Sequence, residues 1–276
     1  MKYALLFIAT VGCLAQEAEA PARPWTDELD LSIVGTSGNS ESTTFGFKNH
    51  YTYNFEKAKF EFKLGGIRVE TTKFTHFAIG TPEAFEVVEE EETLKTDEKY
   101  YVQTKYSKSI SDRFFWDASL DWDRNEFAGI KNRYALGVGV GHVWKKTDTR
   151  SFSSAYTLLY NTEDLVFETP DFDDSYGSIK LSYEWKENKG AIKFKQEFAA
   201  VANLETSEDF RADLKNELST GLTKRLALKV GLDVAYDHQP AFKGIPLLVD
   251  GVEIDTVPYE LDELDYLFKT SLVLTF

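Results

Sequence analysis

Charged side chains recur two residues apart at several places in this chain, and that spacing puts them on one face of an extended strand. Lys193 and Lys195 form one such pair; Arg211, Asp213, Lys215 and Glu217 form a run of four. Asp121 and Asp123 precede Arg133 across a short connection around Gly129. Fixed charges around an aqueous passage select ions. The same charges, with their signs mixed, can instead neutralise one another across neighbouring strands. The residues by themselves leave both chemistries open. Asp121 and Asp123 are placed to accept from Arg133, which would fix the hairpin between them; contact with a small solute is the alternative use. Gly137, Gly139 and Gly141 share that face. They either leave the space beside it open or let another side chain pack closely.

Catalytic and metal chemistry find less support. Outer-membrane phospholipases need a His and a Ser two residues apart, with an Asn to orient them. His142 is followed instead by Val143 and Trp144. Asp237-His238 has only a superficial likeness to an omptin-like protease pair, because the second acidic pair has no counterpart. The four histidines are scattered without metal-ligand spacing. The Glu89–Glu92 run lacks the interleaved Gly and Asn of a shaped calcium loop. No enzyme activity, cofactor or nucleic-acid partner is expected.

The elements that carry the charged residues are strands. At the C-terminal end Leu264, Tyr266, Phe268, Thr270, Leu272, Leu274 and Phe276 alternate with mostly polar or small residues, so one face is apolar. The same period recurs in about twelve segments: 28–37, 43–55, 58–69, 99–110, 114–124, 133–144, 150–161, 175–185, 191–204, 210–222, 226–237 and 264–276. Gly65-Gly66 shifts the phase of the third, which predicts a bulge there. Strands this long, apolar on one face and charged on the other, predict an all-β, transmembrane, antiparallel up-and-down β-barrel, since a closed sheet satisfies its backbone groups in lipid. A soluble sandwich is the rival, but it calls for shorter strands.

Connection lengths agree. Turns near 56–57, 111–112, 146–149, 187–190 and 223–225 are short, whereas 70–96, 162–174 and 238–262 read as long outer loops. Loop 70–96 has seven acids and two bases, 162–174 has six acids and no base, and 238–262 has five acids and one base. Together these loops carry the whole of the chain's formal charge of −15. Divalent cations are candidate partners for that acidic rim.

Lys2, the apolar stretch 3–12 and the small residues at Ala15 or Ala18-Glu19-Ala20 read as a signal peptide over residues 1–20, leaving a barrel domain over 21–276. Cys13, the sole cysteine, raises a lipoprotein alternative, but Thr10 stands where a large aliphatic is expected. Cleavage at either site removes Cys13, and with it thiolate and disulfide chemistry.

The stretch Asp121-Trp122-Asp123-Arg124-Asn125-Glu126-Phe127-Ala128-Gly129-Ile130-Lys131-Asn132-Arg133-Tyr134, followed by Gly137-Val138-Gly139-Val140-Gly141, resembles the YdiY-like salt-induced outer membrane proteins. Gly38-Asn39-Ser40 and the segment from Leu214 to Tyr236 with Pro240 agree with that likeness. Asn125-Glu126, inserted before Phe127, departs from it. The resemblance implies a barrel in the bacterial outer membrane linked to salt stress, and brings no agreed activity or catalytic residues. Leu272, Leu274 and Phe276 match the insertion signature of such barrels. Outer-membrane lipid, lipopolysaccharide and the barrel-assembly machinery are therefore the expected partners. The expected role is that of an osmotic-stress-associated envelope barrel, with a narrow passive channel for ions or small solutes as one form of it and a structural or adhesive barrel displaying acidic, cation-binding outer loops as the alternative.

Overall fold

The computed structural model describes residues 23–36, 40–81, 84–167, 174–206, 208–249 and 252–276. The expected signal peptide with Cys13, the Gly38-Asn39 turn, Glu83, Asp250 and the acids between 168 and 173 lie outside the described residues. Twelve antiparallel strands close into one barrel. They are β1 (Trp25–Thr36), β2 (Ser40–Asn54), β3 (Ala58–Thr81), β4 (Ala84–Ser109), β5 (Phe114–Asn125), β6 (Ile130–Lys146), β7 (Arg150–Leu165), β8 (Ser175–Lys189), β9 (Ile192–Asn203), β10 (Phe210–Gly221), β11 (Leu226–Asp237) and β14 (Leu264–Thr275). Two further strands, β12 (Phe242–Val249) and β13 (Val252–Glu260), form a separate hairpin. Each barrel strand pairs with its sequence neighbour, except that β11 pairs with β14 and β14 closes on β1.

The wall is apolar outside and polar inside. Leu136, Val138 and Val140 of β6 are about three-fifths exposed on the outer surface, while Asp117 and Ser178 in the interior are almost fully buried. Aromatic rings contact one another along the outside of the short-turn end. The pairs include Trp25–Tyr51, Tyr53–Phe55, Tyr106–Trp116, Phe114–His142, His142–Trp144 and Phe152–Trp185. Trp122 and Tyr134 are register partners nearer the other end. From Phe114 to Trp122 the strand rises about 26 Å, or about 20 Å along a barrel axis tilted by ~40°, close to the ~25 Å apolar band of membrane barrels.

Three expected loops are organised differently. Residues 70–81 and 84–96 continue β3 and β4 as a two-stranded hairpin, paired from Glu70↔Lys95 to Thr81↔Ala84. Spanning a bilayer takes about 9–11 residues per strand, so more than half of β3, at 24 residues, lies beyond what a wall requires. Loop 238–262 contains the β12–β13 hairpin. Residues 162–165 belong to β7.

The bulge expected at Gly65-Gly66 is absent. The β2–β3 register runs without a break from Asn54↔Lys59 to Ser40↔Lys73, and the irregularity with β4 falls between Val69 and Glu70. Those two glycines make room for rings: a Cβ on Gly65 would lie 2.7 Å from Tyr101 Cζ, and one on Gly66 2.5 Å from Tyr100 Cδ1.

The closing seam is short. β1 and β14 share four register pairs, from Glu28↔Thr275 to Leu31↔Leu272, whereas β1 and β2 share twelve. Beyond Leu31 the backbone ladder stops and Ser32 Oγ donates to Thr270 O at 2.8 Å; past that bond Ile33, Tyr266 and Phe268 are among the most exposed apolar side chains of the wall. At the paired end Phe276 N donates to Asp27 O at 3.0 Å. Leu272 lies outward on the same face as Leu274, opposite Leu228 and Leu226 of β11.

Candidate functional site

The interior is crossed by ion pairs. Lys63 of β3 reaches Glu197 of β9 at 3.6 Å. In the ring these strands are six positions apart in either direction, so the pair spans the full width of the lumen. Lys48 of β2 meets Glu217 of β10 at 3.0 Å, and Lys229 of β11 bridges Asp30 of β1 at 2.8 Å and Glu217 at 3.7 Å. Lys195 sits between Glu197 at 2.9 Å and Glu184 at 3.6 Å. Lys105 approaches Asp117 at 3.0 Å, and Lys269 approaches Asp233 at 2.6 Å.

A second cluster gathers toward the outer end around Glu163. Its carboxylate accepts from Arg133 Nε at 2.6 Å and from Arg211 Nη1 at 2.9 Å. Tyr176 also donates to it at 2.5 Å, and the Arg211 guanidinium stacks over the Tyr176 ring at 5.6 Å. Two arginines, one carboxylate and one phenol from β6, β7, β8 and β10 thus tie four strands together. Charge-assisted bonds of this kind are roughly twice as strong as neutral ones.

The outer mouth is bridged. Gly129 caps the one-turn 3-10 segment Glu126–Ala128 with φ 76°, a left-handed conformation that suits glycine. A Cβ there would lie 2.4 Å from the Ala241 Cβ. Gly129 lies between β5 and β6, on the far side of the ring from β11, which leads into Ala241. The 238–241 segment therefore crosses the mouth, and Pro240 is buried where it does so. Gly244 rests against the Phe167 ring beyond β7, where a Cβ would be 3.1 Å from Phe167 Cδ2.

The residues singled out from the sequence all lie on the strands expected to carry them, with altered partners. Lys195 is directly opposite Glu217 in register, yet its ammonium turns to Glu184 and Glu197 while Glu217 takes Lys48 and Lys229. Several pairs join adjoining strands, as in Lys105–Asp117, Lys229–Glu217 and Lys269–Asp233, whereas Lys48–Glu217, Lys63–Glu197, Lys229–Asp30 and Arg211–Glu163 join strands that are not neighbours in the ring. Arg133 is flanked in register by Asp123 and Glu163 and bonds Glu163, so the expected bond to Asp121 or Asp123 is not formed. Asp121 and Asp123 make no ion pair with the described residues. Asp213, Lys215 and Lys193 make no ion pair with the described residues. Glu163 was hidden because residues 162–174 read as one acidic loop; the continued alternation of Asn161 and Glu163 was the available signal. Gly137, Gly139 and Gly141 serve close packing: a Cβ on Gly141 would lie 2.1 Å from Phe115 Cζ, and one on Gly139 2.7 Å from Thr157 Oγ1.

The arrangement defines a class: a closed twelve-stranded barrel, apolar outside, with an ion-paired lumen and a bridged outer mouth. A family profile described as protein of unknown function, DUF481, matches residues 29–245, and the chain belongs to that family. No curated protein matches it. Among solved structures, the barrel is similar to the COG4313 outer membrane channel from Pseudomonas putida F1, at 8% identity and a TM-score of 0.46, covering 95% of this chain and 100% of that one. It is similar to the NanC porin at 8% identity and 0.43, covering 91% and 98%. The anion-selective porin from Comamonas acidovorans gives 10% identity and 0.40, again over 91% and 98%.

Proposed function

We propose that this protein is a bacterial outer-membrane barrel of the YdiY-like, salt-stress type, and that it acts as a narrow passive channel for small ions barred at low ionic strength by its own cross-lumen ion pairs. The outward apolar band and the aromatic belt at the short-turn end support the membrane placement, because a closed sheet with such a surface suits lipid. Outer-membrane lipid and lipopolysaccharide are then its surroundings, and the barrel-assembly machinery is its route of insertion. The reading assigns no catalytic group.

The observation that carries the channel reading is the Lys63–Glu197 pair, which joins opposite walls at 3.6 Å. Both side chains are about one-quarter exposed, so mobile ions reach them. The screening length falls from about 8 Å at 0.15 M to about 3 Å at 1 M salt, where it is comparable to the separation of the pair. Rising salt therefore loosens the bar. Single-channel recordings of refolded protein in planar bilayers, across a series of salt concentrations, test this. Conductance should climb more steeply than bulk conductivity, and neutralising Lys63 and Glu197 together should remove the excess slope.

A second reading is favoured by the Ala241–Gly129 contact over the mouth. In it, the barrel is a structural or adhesive support for acidic outer loops that take divalent cations. A well-folded barrel silent at every salt concentration, whose surface binding depends on calcium, would select this reading.

A further inference from the structure

The short-turn end of the barrel encloses a cavity of about 640 Å³ whose charge is opposite to that of the outer loops. Lys48, Lys186, Lys193, Lys195, Lys224 and Lys229 line it. Arg225 adds a seventh cation, against two acids, Glu28 and Glu217. The excess is built from several strands: Lys186 and Lys195 are register partners on β8 and β9, Lys193 follows on β9, and Lys224 comes from the turn after β10.

Four of these lysines are engaged in ion pairs. Lys48 and Lys229 hold Glu217, Lys195 holds Glu184 and Glu197, and Lys186 holds Glu184 at 2.9 Å. Through Glu197, Lys195 also connects to the Lys63–Glu197 pair that spans the lumen. Lys193 and Lys224 make no ion pair with the described residues. Two lysines without a counter-ion, in a concave site with a surplus of positive charge, face the aqueous opening.

We propose that this vestibule binds a free, multivalent oxyanion of the di- or oligophosphate class. Lysine ammonium groups act as point charges with rotatable donors and suit phosphate oxygens approached from several directions. A concave, low-dielectric wall of one sign concentrates such an ion. The volume equals that of roughly twenty waters, larger than a lone phosphate and sufficient for a diphosphate with part of its hydration shell. A lipid headgroup is disfavoured as the source, because the β1–β14 seam is zipped at this end, from Glu28 to Leu31, and separates the cavity from the bilayer. The vestibule does not depend on whether the lumen conducts.

Titration calorimetry of the refolded full-length mature barrel with sodium pyrophosphate, at low salt, tests the proposal. Saturable binding near one equivalent is expected, with acetate and chloride much weaker. Lys193→Gln combined with Lys224→Gln should weaken pyrophosphate at least about tenfold, in line with the loss of two charge-assisted contacts. Lys57→Gln, on a neighbouring turn outside the cavity, should leave affinity unchanged. Heat-modifiable migration on gels confirms that each variant is folded. No saturable binding by the folded wild type would overturn the site, as would an equal loss in the Lys57 variant. Binding that appears only with vesicles carrying anionic lipid would overturn the free-oxyanion assignment.

Discussion

Lys63 and Glu197 sit on strands as far apart as a twelve-stranded ring allows, yet their charged atoms lie 3.6 Å apart. A barrel of this strand number is only slightly wider than one filled by side chains, so long charged residues from opposite walls meet in the middle. Glu197→Gln should free Lys63 and raise single-channel conductance at low salt toward the value the unaltered protein reaches at high salt. An unchanged conductance would show that this pair is not the constriction.

Glu163 answers two arginines at once and is nearly buried. Glu163→Gln leaves both guanidinium groups facing each other without a counter-charge, and breaking a buried pair in this way costs about 3–5 kcal/mol. Urea unfolding in detergent or lipid should show the corresponding drop in stability. Arg133→Gln should cost less, because Arg211 and Tyr176 continue to satisfy the carboxylate.

Gly129→Ala places a methyl 2.4 Å from Ala241 Cβ at a residue with φ 76°. The left-handed backbone alone costs a non-glycine residue about 1–2 kcal/mol, and the added carbon must also push the bridging segment away. Limited proteolysis should cut between 238 and 263 faster in this variant, while the barrel keeps its heat-modifiable migration. Equal cleavage rates would mean that the segment does not depend on this contact.

The seam predicts an exchange pattern. Beyond Leu31↔Leu272, the seam-facing amides of β1 and β14 have no ladder partner across the seam. Amide exchange in lipid nanodiscs should be fast for alternate residues between Leu264 and Ser271 and slow through the continuous β2–β3 ladder. Uniform protection on both would show that the seam closes in the bilayer.

Much of this architecture was legible from alternation alone. A period of two marks each wall strand and decides which residues face outward, so Leu264 and Leu272 fell outside and Lys195 and Arg211 inside as expected. Short turns such as Ser111-Asp112 followed from the breaks between segments. The hairpins beyond the wall were hidden, because acids interrupt the apolar face at Glu89–Glu92 and the chain there reads as loop. Pairing opposite a two-stranded neighbour is enough to make it strand.

What the linear pattern could not contain is who meets whom inside. Register names a residue's neighbours on the adjoining strands, as it does for Lys195 and Glu217 or Arg133 and Asp123. Once the ring closes, a long side chain reaches past those neighbours to whichever opposite charge the lumen brings near, and Glu197, Glu163 and Ala241 acquire their partners only then. Facing is a local property of the backbone, whereas contact across a lumen depends on ring closure, width and the reach of side chains, which exist only in three dimensions.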